Sequence, residues 1–119
     1  MSIVAWAQRG IARLEPGDRP ALEAFQRANF GAQAMQHRAD HHRWVFDDAP
    51  LPDPEGVQLW VCKRNDAVVG QQGGIPFRLK AGDRALRASW SIDLMVAPEW
   101  RLRGVGPALT EAHAMCNEV

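Results

Sequence analysis

The sequence predicts an α/β fold with a mostly antiparallel sheet and flanking helices, in the order β-α-α-β-β-β-α. Three observations lead there. Residues 86–96 alternate apolar and polar side chains, with only Met95 off the pattern, the period of a strand with one apolar face. Two further apolar, β-branched runs, 57–64 and 67–80, precede them and are set off by short turns. Helical spacing of apolar residues recurs early in the chain and again at its C-terminal end.

Each element has its own signal. Residues 10–15 read as a short first strand, broken by Pro16-Gly17. Asp18 stands where a helix N-cap is expected, and Pro20 falls in the first turn, where a missing N–H does no harm. Leu22, Phe25 and Ala28 then mark the inner side of a helix. After Gly31 a second helix is expected over 32–46, with Met35, Ala39, His42 and Phe46 on one side. Pro50, Pro52 and Pro54 make 47–56 a loop. In the 67–80 strand, Gly70, Gly73, Gly74 and Pro76 point to a bulge or a sheet edge. In the next strand Leu86, Ala88, Trp90, Ile92, Leu94 and Val96 form the apolar face, up to the break at Pro98. Residues 104–118 form the last helix, with Val105, Ala108, Leu109, Ala112 and Met115 or Cys116 on its stripe. Trp44, Trp60 and Trp90 are expected in the core.

A chain of 119 residues suffices for one domain with one core, here 1–119. Fourteen basic residues balance fourteen acidic ones, so neither nucleic acid nor an anionic membrane is expected as a bulk partner. No apolar run approaches a membrane span, and the first 19 residues lack the pattern of a secretory signal. Two cysteines, Cys62 and Cys116, form no CxxC, which makes a reducing cytoplasm the expected location.

The chemistry concentrates in Arg101-Leu102-Arg103-Gly104-Val105-Gly106, between the last strand and the last helix. A helix N-terminus exposes unpaired N–H groups and partial positive charge, which suits a phosphate. Gly104 and Gly106 let the backbone approach a pyrophosphate closely, while Arg101 and Arg103 add donors and charge. A glycine-softened helix start with solvated arginines is the plainer alternative. No GxGxxG or GxxxxGK[ST] is present, which argues against a dinucleotide fold or a P-loop.

With its preceding strand, this segment, LMVAPEWRLRGVGPAL, resembles the acyl-CoA signature of the GCN5-related N-acetyltransferases (GNAT). In that pattern a strand ending in apolar-x-Val-x-Pro leads to Arg/Gln-x-x-Gly-x-Gly/Ala and then an amphipathic helix. Arg101, Gly104 and Gly106 fill its defining places, and the upstream order of elements also agrees. The resemblance implies that backbone groups of Leu94, Met95 and Val96 pair with the pantetheine arm of acetyl-CoA. It implies that Leu102, Arg103, Gly104, Val105, Gly106 and Pro107 surround the pyrophosphate, and that a backbone N–H at the strand end polarises the acetyl carbonyl. The expected activity is N-acetyl transfer to a primary amine of an unidentified acceptor. In the family another strand, a helix and more strands come after this helix. The chain is therefore expected to be a truncated domain that lacks the C-terminal, acceptor-side part, and to form a homo-oligomer or rely on the missing segment. A non-catalytic acyl-CoA-binding or interaction module is the alternative.

Asp93, on the polar side of the last strand with Ser89 and Ser91, is the candidate base, since transfer needs a neutral amine. A structural hydrogen bond at a strand end is the simpler explanation. His37 and His41, four apart, have metal-clip spacing but no third ligand at a recognisable spacing, so a solvated helix face is expected and no metal. Asp47, Asp48, Asp53 and Glu55 lack the order of a calcium loop. His113 and Cys116 read as helix packing or surface, for want of a third group to orient a nucleophile.

Overall fold

A computed structural model describes residues 10–117. The expectations for positions 1–9 and for residue 118 at the end of the last helix lie outside it. Strands β1 (Ile11–Arg13), β2 (Leu59–Arg64), β3 (Ala67–Ala81) and β4 (Arg84–Val96) form one sheet in the order β1-β2-β3-β4, every neighbouring pair antiparallel. Helices α1 (Arg19–Phe30), α2 (Ala39–His42) and α3 (Val105–Met115) complete the predicted order. Among the described residues, no helix is long and apolar enough to cross a membrane.

The sheet carries a core on each face. On one, Leu22 and Phe25 of α1 and Val45 and Phe46 pack against Leu59, Val61 and Val68. On the other, Val105, Ala108 and Leu109 of α3 pack against Trp60, Cys62 and Val69. Gly70 permits the second contact: a Cβ there would come within 3.0 Å of Val105 Cγ1 and Leu109 Cδ1. With no side chain in the way, α3 settles directly onto β3, and that sets where its N-terminus points.

Several expectations are corrected. The second helix is broken into a 3-10 turn Met35–His37, α2, and a π-type turn Arg43–Asp47. Arg38 is extended, so α2 cannot begin earlier. The wide π-type turn lets adjacent residues, Val45 and Phe46, both face inward, whereas Met35 and Ala39 are exposed. On α1 the exposed Ala28 yields its expected inward place to the buried Gln26. Asp18 does stand at the α1 N-cap, yet its carboxylate accepts from Glu15 N–H at 2.9 Å and Lys63 Nζ at 3.0 Å rather than from the helix. Trp60 is in the core, but Trp44 and Trp90 are 74% and 64% exposed.

The glycine-rich β3 is an interior strand, not an edge. It carries one register break, opposite Cys62/Lys63 of β2. At the second break, Gln71 pairs with Met95 and Gly73 with Ile92, so the extra residue belongs to β4. There Asp93 adopts φ 54°. The predicted alternation of β4 therefore fails beyond this point. Ile92 and Met95 pack toward the same core, Val96 packs toward the other, and Leu94 is exposed. Met115 is exposed too, leaving Cys116 on the α3 stripe.

The Pro-rich loop is tied down by one buried carboxylate. Asp53 Oδ2 accepts from Arg13 at 3.0 Å, Arg87 at 3.1 Å and Gln58 Nε2 at 3.0 Å, and Oδ1 accepts from Glu55 N–H at 2.9 Å. Burial alone would raise the Asp53 carboxyl; the hydrogen bonds from Gln58, Glu55 and Arg13 outweigh it and hold it below the usual carboxylate range. With the folded value depressed, this stabilisation is complete above the unfolded carboxylate range and is lost as pH falls through it. Asp53→Asn is expected to lower unfolding free energy by about 2 kcal/mol at neutral pH, and by much less near pH 3. Urea denaturation at the two pH values measures both.

Candidate active site

Strand β4 ends where Ala97 N–H bonds to Val69 O at 2.9 Å. A 3-10 turn, Pro98–Trp100, comes next, and residues 101–104 then turn the chain into α3. Leu102 has φ 62° and is fully exposed; Gly104 has φ 83°. A leucine in the left-handed region costs roughly 1–2 kcal/mol, with no burial here to offset it. Left-handed residues set within a turn gather successive N–H groups into a concave surface suited to anions.

Among the described residues, the N–H groups of residues 102–104 bond to no other backbone group. Those of Val105 and Gly106 open α3, where no intrahelical acceptor exists. Pro107 has no N–H, so it can shape the turn but not donate. Gly106 is informative for a different reason. A Cβ there would meet only Val96 Cγ2, at 3.9 Å, an ordinary contact. Packing does not require a glycine at this position; what its absent side chain leaves clear is the outer surface of the turn.

The two arginines have separate roles. Arg101 folds back, its Nε donating to Val96 O at 2.9 Å, with Nη2 3.7 Å from Met95 Sδ. It thus fixes the angle between strand end and turn. Arg103 lies over the Trp100 ring, 5.4 Å from its centroid.

Leu94, Met95 and Val96 run along the outermost strand of the described sheet. Just before them Asp93 is held by groups that sequence reasoning missed. Gln71 Nε2 donates to Asp93 O at 2.9 Å, and Gln26 Nε2 donates to Gln71 Oε1 at 2.9 Å. Both glutamines are buried. Gln72, opposite the extra residue, donates to Gly73 O, Ser91 Oγ and Ile92 O. The signal for them is a Gln-Gln pair in the middle of an apolar strand. The Asp93 carboxylate is half-buried and accepts from Gln36 Nε2 at 3.3 Å.

The remaining candidates are placed elsewhere. His37 is buried with Nε2 at 2.8 Å from Ala32 O, while His41 stands beside Trp44. His113 is buried, its Nε2 2.8 Å from Ser89 Oγ. This is not a nucleophile–base pair. Gln58 Nε2 donates to Asp53 and Asn117, which fixes its amide orientation, and Ser89 gives its proton to Gln58 Oε1 at 2.6 Å. His113 must then donate to Ser89 rather than receive from it.

The comparisons with known proteins agree with this geometry. A family model described as an acetyltransferase (GNAT) domain matches residues 12–117. The chain belongs to the GNAT family. Among solved structures 17 chains match. One is an integron cassette protein from the mobile metagenome of V. cholerae, 17% identical, with a TM-score of 0.52 over 88% of this chain. At that identity it speaks for the fold alone. The match spans 65% of the length of that protein. A search of curated proteins gives no match. Membership supports an acetyltransferase type of function.

Burial lowers the pKa of His113, and burial together with nearby Arg19 lowers that of His42. Both histidines are therefore favoured as neutral in the folded state. Their contribution is complete above the unfolded value near 6.5 and is lost as pH falls through it, because the unfolded chain binds the protons more readily. Melting temperature should fall between pH 7 and pH 5, and His113→Gln should flatten part of that slope. An unchanged slope in the variant would show that His113 is not a source of it.

Proposed function

We propose that the chain binds acetyl-CoA at the 101–106 turn and transfers the acetyl group to a primary amine. The observation that carries this reading is the clearance at Gly106, where the fold would accommodate a Cβ at 3.9 Å and yet has none. Left-handed residues at 102 and 104 and the N–H groups that open α3 support it. In this reading the N–H groups of residues 102–106 hold the pyrophosphate. Leu94, Met95 and Val96 line the pantetheine arm. A backbone N–H beside the extra residue of β4 polarises the acetyl carbonyl.

Transfer would occur within a ternary complex, with no acyl-enzyme. Asp93, directly or through water, first takes one proton from the ammonium. The neutral amine nitrogen then attacks the acetyl carbon, the C–S bond breaks, and the second nitrogen proton passes to the leaving sulfur, so that CoA departs as the thiol. Association of copies along β4, or its pairing with further chain, belongs to the same proposal, and sedimentation over a concentration series reports it. Both cysteines are free, in keeping with a reducing cytoplasm.

The Gln36–Asp93 hydrogen bond favours a second reading, a non-catalytic acyl-CoA-binding module in which Asp93 is structural. Release of CoA on addition of amines separates the two, since only the catalytic reading requires it.

Gly106→Glu should fold normally, because a carboxylate suits the first turn of a helix, but it should bind acetyl-CoA at least tenfold more weakly by calorimetry. Affinity equal to the parent would remove the phosphate assignment. In an active protein, Asp93→Asn should slow amine acetylation at neutral pH by about 10²-fold, within the range for a general base, with little change in CoA affinity. An unaltered rate and pH profile would exclude Asp93 from the chemistry.

A further inference from the structure

The exposed indole of Trp44 borders a groove. With Val45 of the same π-type turn, Pro50 of the Pro-rich loop and Ile75 of β3, it lines a space of about 260 Å³ whose remaining lining residue is Asp48. That volume lies below the roughly 300 Å³ at which pockets for drug-sized ligands begin, so its occupant is small. The lining is apolar except for Asp48, which is exposed. Among the described residues, the Asp48 carboxylate makes no ion pair and accepts no hydrogen bond. The groove opens on the same face of the sheet as the Asp93 carboxylate. Ile75 and Ile92 both pack toward the core beneath α1, and Gln36, just before α2, reaches Asp93 Oδ1 from that side. Phe46, two residues after Trp44, lies over Gly73, where a Cβ would come within 3.0 Å of its ring and 3.1 Å of Ile92 Cγ1. Ile75 pairs with Trp90, and paired residues project to one face. From Trp90 to Asp93 is roughly 10 Å along β4. Trp90 extends the apolar surface, stacked on Phe77 with ring centroids 5.3 Å apart.

We propose that this groove holds the apolar body of the acceptor, so that the substrate is an alkyl or aralkyl primary amine without an anionic group, its nitrogen at Asp93 and its chain running across the sheet toward Ile75 and Trp44. The proposal rests on the amine-transfer reading and deepens it by naming the substrate class. Trp44 gains nothing from burial within the fold, and an apolar chain laid on it would remove both surfaces from water. Each methylene so covered tightens binding by up to about fourfold. A hydroxylated acceptor would find no hydrogen-bond partner on the side chains of Trp44 faced by Val45, Pro50 and Ile75 other than the indole N–H, and would lose its hydration there. A carboxylate on the acceptor would meet the unpaired Asp48 within the same apolar wall, so repulsion adds to that loss. The ammonium end of the substrate, by contrast, is drawn to a groove whose charged groups are Asp48 and, along the strand, Asp93.

The test is CoA release by the full chain with acetyl-CoA and propylamine, hexylamine or aminocaproate, the last being a chain of hexylamine's length that ends in a carboxylate. Hexylamine should have a KM about tenfold below that of propylamine, the effect of roughly three partly covered methylenes. It should also be preferred over aminocaproate at least tenfold in kcat/KM, and Asp48→Asn should narrow that second preference about threefold. Trp44→Ala, at an exposed position, should bring the KM values of propylamine and hexylamine close together. Saturation-transfer NMR reads binding apart from turnover: the hexylamine methyl should receive magnetisation from the parent and lose most of it in Trp44→Ala. Equal KM values for the two alkylamines, with no transfer to the methyl, would overturn the proposal, leave amine acetylation standing and make the groove a contact for protein. A Trp44→Ala variant that raises both KM values equally would also overturn it, because the indole would then act on the fold and not on the chain of the substrate. Methyl transfer without CoA release from any amine would sink the acetylation reading and keep the groove as an amine-binding site. Neither signal would overturn both.

Discussion

Between Gln71 and Gly73, β3 supplies one residue where β4 supplies two. The surplus is taken up at Asp93 by a left-handed backbone, a conformation that L-residues other than Asn and Asp rarely adopt. The rest of β4 and the turn beyond it depend on that step. It moves Met95 onto the face where Ile92 already lies, turns Leu94 outward and sends Val96 to the α3 side. Arg101 then closes on the Val96 carbonyl, and the turn leaves the sheet at a fixed angle. The bulge is held from behind by buried amides that reach from α1 through β3 to the Asp93 carbonyl. Unpaired, such buried amides would each be costly; joined in sequence, they satisfy one another and tie the bulge to α1.

The site thus divides its work between a strand and a helix that are positioned independently. The bulge and its glutamines orient β4. The close approach over Gly70 orients α3. The turn joins the two and absorbs strain at Leu102, whose side chain gains nothing from burial. Local strain of this kind persists where the flanking elements over-determine the backbone.

Much of this was legible in the sequence, for identifiable reasons. The order of elements came from periodicity and from punctuation by proline and glycine. The turn came from the spacing of Arg101, Gly104 and Gly106. What periodicity could not show was the surplus residue in β4. The alternation from Leu86 to Val96 runs straight past Asp93 with only Met95 out of place, and only pairing with β3 exposes the mismatch. The glycines of β3 pointed to the bulge that β3 carries opposite Cys62/Lys63, not to the second one in β4. Trp44 and Trp90 were assigned to the core on side-chain type alone, yet the first lies on a wide helical turn and the second on a hairpin that outruns its neighbours. The glutamine relay joins residues 26, 71 and 93, a long-range contact that no local window contains.

The length of the β3–β4 hairpin bears on the order in which the molecule assembles. Its 15- and 13-residue strands meet across a two-residue turn, so closing it costs little chain entropy. Pairing β1 with β2, by contrast, requires closure around α1 and the whole Pro-rich loop. Local contacts form ahead of distant ones. The hairpin can therefore zip before α1 docks, and at that stage Gln71 lacks Gln26. The contact that ties the register around Asp93 to α1 is therefore one that the hairpin cannot make by itself.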